Sequence, residues 1–363
     1  MTQAEANIES FSPDVRTSAK QGFVPPRLAE SAYRRAVTEA LRHGQYGIAS
    51  ALVNTRHACM GYFRFALGVG ERHHNTVIHL RFRQDNCILE LNPHLGGERL
   101  SFASGRLIAL LQLIVNCRGG PLGSIALNTD DYGVVPGLAF SDHRSDRLLI
   151  PDPVFFAERA YQRTARHYLE QDVAWEQRCK IAFWRGSTTG GEIDCDTWQK
   201  MDRVLLCRIA TAYPTIFDVG LAGIVQVNEA DAAAIRVSGL VRDFVPETLF
   251  SRYRYQLDID GNTNSWPGLF QKLLTGCPVL KVASRYGYRQ WYYDRLVAWE
   301  NFVPVATDMS DLVEKVTWLI QHDAEAQRIG AAGRKLALSM SVPKELEHGR
   351  ATIHAALGAS NGP

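Results

Sequence analysis

The segment Tyr255–Val282 constrains the fold more than any other part of the chain. Its residues predict a short strand at Gln256–Ile259 and a second strand at Pro278–Val282. Between them, apolar residues recur at helical spacing until Gly276, which is suited to end a helix. Such a strand–helix–strand unit places a helix N-terminus at the carboxyl end of a strand, where free N–H groups and the helix dipole attract anions. An ordinary crossover unit without a ligand fits the same pattern, so this segment alone leaves both interpretations open.

Length and composition predict a two-domain globular protein. A chain of 363 residues usually forms more than one domain, and 46% hydrophobic and 21% charged residues are ordinary values for a globular protein. The net charge of +2 gives no general attraction to nucleic acid, so no nucleic-acid partner is expected. The seven cysteines are scattered without a C-x-x-C pair, which favours reduced thiols over disulfides or zinc. His73, His74 and His79 lack acidic or thiolate partners at ligand spacing, so no metal site is predicted.

The N-terminal residues bear on where in the cell the protein is located. They carry two glutamates and no apolar core, unlike a signal peptide, and no apolar run is long enough to cross a membrane. We therefore expect a cytoplasmic protein. A basic helix predicted at Arg27–His43 could rest on anionic lipid headgroups of the inner membrane. A solvated surface helix explains the same residues and is the simpler interpretation.

A pair of carboxylates follows a short apolar strand in the first half of the chain. The strand begins at Ser124 and ends at Asp130 and Asp131. Ligands of α/β proteins usually bind at the carboxyl ends of strands. A second carboxylate nearby makes one of a pair more basic, as a general base requires. A turn-forming pair on the surface is the alternative, and spacing alone favours it.

A second strand, Ile181–Trp184, ends in a turn rich in glycine and hydroxyl groups at Arg185–Gly191. Glycine lets the backbone approach a ligand closely, and arginine binds phosphate with two nitrogens. The turn lacks the Gly-Lys-Ser/Thr ending of a P-loop. Arg203, in the helix predicted next, could face the same pocket.

Four motifs in this order resemble glycosyltransferase family 90. They are Phe183–Ser187 (FWRGS), Tyr255–Trp266 (YQLDIDGNTNSW), Leu273–Lys281 (LLTGCPVLK) and Val303–Leu312 (VPVATDMSDL). The resemblance covers roughly residues 125–335 and adds little for the first 120. The family includes bacterial lipopolysaccharide-modifying transferases, fungal capsule xylosyltransferases and animal protein O-glucosyltransferases.

The resemblance implies an α/β fold of GT-B architecture, with two Rossmann-like domains facing across a cleft. It implies an inverting transfer of a hexose or pentose from a UDP-sugar to a hydroxyl, without a metal or other cofactor. A glycan or lipid-linked glycan of a bacterial surface, such as lipopolysaccharide or capsule, is the expected acceptor. We divide the chain into a flexible arm at 1–24, an acceptor-side domain at 25–175, a UDP-sugar-binding domain at 176–340 and a tail at 341–363.

The resemblance also assigns roles to residues. The run Asn128–Tyr132 matches the family's Asn-x-x-Asp-Tyr, which makes Asp131 the general base. Animal relatives place an arginine where Trp266, Pro267 and Gly268 stand here. The predicted substitute is either an arginine from elsewhere in the chain or Lys272 together with the helix dipole. The expected donor contacts are Arg185, Gly186, Ser187, Thr188, Arg203, Asp260, Gly261, Asn262, Asn264, Ser265, Trp266 and Lys272.

Two other functions remain open at this stage. The altered helix start would suit an inactive relative that binds a glycan or a protein partner. Another Rossmann-type nucleotide enzyme, such as a dehydrogenase, would share the strand–helix units. The absence of Gly-x-Gly-x-x-Gly after a strand counts against a dehydrogenase.

Overall fold

A computed structural model describes residues 29–68, 76–171, 173–190 and 197–359. The predictions for the arm at 1–24, for His73 and His74, and for Gly191 lie outside these ranges. None of the described helices is both long enough and apolar enough to cross a membrane.

The first half of the described chain forms a mixed sheet of six strands in the order β1-β3-β2-β4-β5-β6. Strand β2 is antiparallel to β3 and β4, and the other pairs are parallel. The four residues between β2 and β3 are too few for a crossover, so these two strands form a hairpin. The strands are Phe63–Leu67 (β1), Val77–Phe82 (β2), Cys87–Leu91 (β3), Gly123–Asn128 (β4), Gly137–Ala139 (β5) and Arg147–Leu149 (β6). The helices are Glu30–Arg42 (α1), Tyr46–Arg56 (α2), Gly97–Asn116 (α3), Pro153–Ala157 (α4) and Gln162–Glu170 (α5).

The second half of the described chain forms a parallel sheet of five strands in the order β11-β10-β9-β7-β8. The strands are Cys179–Ser187 (β7), Phe217–Gly223 (β8), Tyr253–Asp258 (β9), Val279–Val282 (β10) and Val303–Val305 (β11). The helices are Asp202–Thr211 (α6), Glu229–Val237 (α7), Pro267–Leu274 (α8), Leu312–Gln321 (α9), Asp323–Ser339 (α10) and Val342–Ala359 (α11). The chain proceeds outward from β7 to β8 on one side and from β9 to β11 on the other. The gap between the carboxyl ends of β7 and β9 is therefore the switch point at which such sheets bind ligands.

The two sheet units share an aromatic contact. Phe155 of α4 packs edge-to-face on Phe270 of α8 and on Trp291, with ring centroids 5.6 and 5.4 Å apart. Tyr161, just before α5, lies 4.9 Å from Phe270. All four side chains are buried. The prediction of two α/β units facing across a cleft is confirmed, with the first sheet mixed rather than parallel.

The predicted polar tail at 341–363 is wrong for residues 342–359, which form α11. Leu346, Ile353 and Leu357 are spaced so that they lie on one face of this helix, and all three are buried in the core of the first unit. The helix therefore returns from the second unit to cover α3 and β4 of the first.

Asp152 caps the N-terminus of α4 from a fully buried position. Its Oδ1 accepts the N–H of Phe155 at 2.9 Å, and Gln290 Nε2 of the second unit lies 3.4 Å from its Oδ2. Burial raises the pKa of this carboxyl from 3.8 to about 6, against the opposing effect of the N–H groups of Phe155 and Val154. The pKa of Asp152 is higher in the folded protein than in the unfolded chain. The neutral carboxyl therefore stabilises the fold fully at a pH below the unfolded pKa, and this stabilisation is lost as the pH rises through 6.

We expect Asp152→Asn to be more stable than the wild type at neutral pH. Asparagine keeps the helix cap but carries no buried charge, so the gain should reach about 2–3 kcal/mol. Below about pH 4 the two proteins should unfold alike, because both side chains are then neutral. Urea unfolding at acid and at neutral pH measures the free energy of unfolding of both proteins. A variant less stable than the wild type at neutral pH would contradict this prediction.

Candidate functional site

One polar cavity of about 180 Å³ lies between the two units, at the switch point of the second sheet. It is lined by Asp131 from the first unit and by residues that follow β7 and β9 or lie in α6 of the second. These are Thr189, Arg203, Gly261, Asn262, Thr263, Asn264 and Trp266. The cavity therefore brings together the predicted base and five of the predicted donor contacts.

The loops after β7 and β9 approach each other closely. The N–H of Gly190 donates to Asn262 Oδ1 at 3.0 Å. Gly190 has a φ of +98°, and a Cβ there would lie 2.8 Å from the carbonyl oxygen of Gly261. A Cβ on Gly261 would in turn lie 2.5 Å from Thr189 Oγ1. At Gly190 the positive φ and the backbone contact favour glycine, whereas a side chain at position 261 would have to displace the side chain of Thr189 or Arg203.

Asp131 faces the second unit across the cavity. Its Oδ1 accepts Arg106 Nη2 at 2.9 Å, and its Oδ2 accepts Asn262 Nδ2 at 3.2 Å. Its backbone oxygen accepts Thr263 Oγ1 at 3.2 Å. The side chain stays 31% exposed, so a ligand in the cavity can reach it. Asp130 points elsewhere: its Oδ1 accepts the N–H of Asp131, and its Oδ2 lies 3.5 Å from Arg99 Nη1.

Arg203 supplies the positive charge of the cavity. Its Nε donates to the carbonyl of Asp260 at 2.9 Å and its Nη1 to that of Ser187 at 3.0 Å. Its Nη2 lies 3.4 Å from the carbonyl oxygen of Ile259. Burial lowers the pKa of this guanidinium to about 10, while Asp258 and Asp260 oppose that effect. Arg203 therefore stays charged at neutral pH and ties the loops after β7 and β9 together.

Asn264 fastens the same loop to both units. Its Nδ2 donates to the carbonyl of Tyr288 at 3.0 Å, and its Oδ1 accepts Ser141 Oγ of the first unit at 2.8 Å. Beside this contact, the backbones of Asp142 and Arg289 exchange hydrogen bonds of 3.2 and 3.0 Å. The cavity is thus bordered by direct bonds between the units.

The run 185–188, predicted as donor contacts, does not line the cavity. Arg185 Nη2 binds Asp218 Oδ1 of β8 at 2.6 Å, and its Nε and Nη1 donate to backbone carbonyls. Thr188 is buried, and its Oγ1 exchanges hydrogen bonds with the backbone of Val225. Gly186 packs against the ring of Trp184, and Ser187 contributes its carbonyl to Arg203. Among the described residues of this loop, Thr189 is the one that lines the cavity. It lies in the predicted turn but was not among the predicted donor contacts.

Lys272, Ser265 and Asp260, also predicted as donor contacts, do not line the cavity either. Lys272 Nζ and Ser265 Oγ both bind Asp258 Oδ1, at 2.8 and 2.5 Å, in a buried cluster below the cavity. Lys281 Nζ completes the cluster, 3.2 Å from Asp258 Oδ2 and 3.3 Å from Asp260 Oδ1. Although burial opposes ionisation, the ammonium groups of Lys272 and Lys281 hold the pKa of Asp258 well below its usual range. Ser265 therefore does not cap α8, which begins after Trp266 without a side-chain cap.

Arg106 contacts the predicted base and was not predicted as a site residue. It lies within α3 and binds Asp131. Arg106 is the one charged residue in the largely apolar stretch 100–116. This is a usable signal, because a buried charge requires a partner. The signal does not tell which residue the partner is.

In the described residues, no group of three or more His, Cys, Asp or Glu side chains is arranged to hold a metal ion. The metal-independent transfer stays a prediction.

A family model for glycosyl transferase family 90 matches residues 157–342, just over half of the chain. The chain belongs to this family. The assignment made from the four motifs is confirmed.

Curated relatives are similar to this chain over part of their length. Protein O-glucosyltransferase 2 of Danio rerio is 27% identical over 163 residues, which are 45% of this chain and 29% of the relative. Protein O-glucosyltransferase 3 of Homo sapiens is 27% identical over 176 residues, 48% of this chain and 31% of the relative. The chain thus spans about a third of the length of these relatives. The crystal structure of TarM is similar over 49% of this chain and 35% of its own, with a TM-score of 0.35 and 12% identity.

Proposed function

We propose that the protein is an inverting glycosyltransferase that moves a hexose or pentose from a UDP-sugar to a hydroxyl group, with Asp131 as the general base. One observation carries this proposal: Asp131 faces the loops after β7 and β9 across a single polar cavity, in a chain of family 90. The names of the curated relatives, protein O-glucosyltransferases, favour glucose as the first sugar to test.

The carboxylate of Asp131 would take the proton of the acceptor hydroxyl. The hydroxyl oxygen then forms a bond to the anomeric carbon, on the face opposite the nucleotide. The bond from that carbon to the diphosphate oxygen breaks, and its electron pair leaves with UDP. A base positioned for this proton contributes about 10²- to 10⁴-fold to such a reaction. The product has the opposite anomeric configuration to the donor.

The departing diphosphate needs positive charge and N–H groups. Arg203 provides a fixed charge on the cavity wall. Its Nη2 makes only a long hydrogen bond to the carbonyl of Ile259, at 3.4 Å, and is therefore the nitrogen best able to donate to a phosphate oxygen. Helix α8 starts at Pro267, directly after the lining residue Trp266, and its N-terminus adds a favourable dipole. Together these groups replace the arginine of the animal relatives.

The proposed acceptor is a hydroxyl of a bacterial surface glycan, such as lipopolysaccharide or capsule, free or lipid-linked. We place the reaction on the cytoplasmic side, where UDP-sugars are made. Peripheral contact with the inner membrane through α1 is the weaker part of this proposal. Arg34 and Arg42 of that helix pair with Glu30 and Glu39 at 2.8 and 2.6 Å, which leaves less positive charge for lipid. Absence of co-sedimentation with anionic vesicles at low salt would contradict the proposed contact with the inner membrane.

The function is tested by incubating the protein with UDP-glucose, UDP-galactose or UDP-xylose and lipopolysaccharide in EDTA. We expect release of UDP and a glycosylated product whose anomeric proton shows the inverted configuration by NMR. A product with retained configuration would contradict the proposed chemistry. No UDP release from any donor would overturn the assignment as an active transferase.

The two arginines predicted at the donor site should behave differently when replaced. Arg203→Lys should raise the Kd for UDP at least about tenfold, because it loses one or more charge-assisted hydrogen bonds of about 1.5–3 kcal/mol. Arg185→Lys should leave the Kd unchanged, because Arg185 lies on Asp218 away from the cavity. Calorimetric titration with UDP measures both, with thermal unfolding as the folding control. Equal losses in the two variants would contradict the geometry of the site.

A further inference from the structure

Arg106 links the end of β4 to the carboxylate of Asp131. Its Nη1 donates to the carbonyl of Thr129 at 2.5 Å, and its Nη2 donates to Asp131 Oδ1 at 2.9 Å. The side chain is 17% exposed. One planar guanidinium therefore holds both the backbone before Asp131 and the side chain of Asp131 itself. An ammonium group does not offer two donors in such a fixed geometry.

The guanidinium is held between two aromatic rings from different units. Its Cζ lies 3.9 Å from the ring centroid of Phe102, one turn earlier in α3, and 4.4 Å from that of Trp266 in the second unit. Trp266 has a φ of 26°, a strained value for a bulky residue, so its position is set by its surroundings. Its Nε1 donates to Thr263 Oγ1 at 3.2 Å, and that oxygen donates to the backbone carbonyl of Asp131. Arg106, Asp131, Thr263 and Trp266 thus form a closed ring of contacts across the cleft.

This ring gives the two carboxylate oxygens of Asp131 different surroundings. Oδ1 is occupied by Arg106 within the first unit. Oδ2 is approached by the amide of Asn262, at 3.2 Å, which lines the cavity. An entering hydroxyl can replace that single neutral hydrogen bond more easily than the charged contact on the other oxygen. Oδ2 is therefore the oxygen available to take a proton.

We propose that Arg106 is a positioning residue that fixes Asp131 so that Oδ2 faces the acceptor hydroxyl. This inference rests on the proposed transferase function. The gain from Arg106 lies in the alignment of the carboxylate, which its two hydrogen bonds fix. A loss of alignment of about 1 Å costs about 100-fold in rate. Trp266 makes this alignment depend on the second unit, which also contributes most of the cavity.

The test compares Arg106→Ala with the wild type in UDP release and UDP binding. We expect kcat to fall about 100-fold, while the Kd for UDP stays the same because Arg106 does not line the cavity. Millimolar guanidinium ion should restore much of the lost kcat by occupying the space between Phe102 and Trp266. Arg106→Lys should stay slow, because an ammonium group cannot replace both hydrogen bonds. Arg118→Ala is the matched control, since Arg118 follows the same helix and lies 5.5 Å from the ring of Tyr62.

The outcomes separate this inference from the function on which it rests. Wild-type kcat in Arg106→Ala, together with an inactive Asp131→Asn, would overturn the positioning role and leave the transferase intact. A slow Arg106→Ala that guanidinium does not restore and that binds UDP poorly would show a merely structural role. A wild-type protein that releases no UDP from any donor would overturn both. Guanidinium should not restore Asp131→Asn, which still contains Arg106.

Discussion

Replacing Asp131 with asparagine is expected to lower kcat by about 10²- to 10⁴-fold, the contribution of a positioned general base. Asparagine has the same shape and can still accept from Arg106, so the cavity should keep its form. UDP affinity should stay the same or rise slightly, because the change removes a negative charge from the cavity that is to hold a diphosphate. Initial rates of UDP release and calorimetric titration with UDP measure the two effects separately.

Asp146→Asn is the matched control for this variant. Asp146 is also an aspartate of the first unit bound to an arginine, with Oδ2 2.6 Å from Arg147 Nη1, but it does not line the cavity. We expect it to keep the wild-type kcat. Unchanged turnover in Asp131→Asn would remove Asp131 as the base, and a loss of UDP binding equal to the loss of rate would make it a binding residue instead.

The second large effect is expected on stability, from Lys272→Met. The change removes one of two ammonium groups that neutralise the fully buried Asp258. Removing one partner of a buried ion pair typically costs about 3–5 kcal/mol, because the remaining charge cannot reach water. Urea unfolding at neutral pH should show this loss. UDP affinity of the folded variant should be unchanged, because Lys272 lies below the cavity.

Lys335→Met makes the same chemical change at an exposed position of α10 and should scarcely alter the unfolding midpoint. If Lys272→Met instead unfolds like the wild type and loses UDP affinity, Lys272 contacts the diphosphate, as the sequence alone suggested. The pair of variants thus decides between a structural and a ligand-binding lysine.

The parts of the fold that follow from local patterns were predictable. The strand–helix–strand unit at Tyr255–Val282 is observed as β9, α8 and β10, because apolar spacing and Gly276 are local signals. The prediction of a polar tail overlooked a signal of the same kind, because Leu346, Ile353 and Leu357 lie at helical spacing in the sequence.

Contacts between distant residues were not predictable. Arg185 was expected to bind phosphate, but its partner Asp218 is 33 residues away on a neighbouring strand. Arg106 and Asp131 are 25 residues apart and meet only because α3 packs beside the end of β4. The sequence shows the residue types that can hold a diphosphate or a proton, whereas packing decides which of them reach the cavity.

The central claim, that the cleft is a UDP-sugar site, is tested most directly by calorimetric titration with UDP, UDP-glucose and NAD, with and without EDTA. We predict that UDP and UDP-glucose bind, that binding survives EDTA, and that NAD does not bind. Absence of UDP binding would contradict the account, and binding of NAD in its place would assign the cleft to another class of nucleotide enzyme.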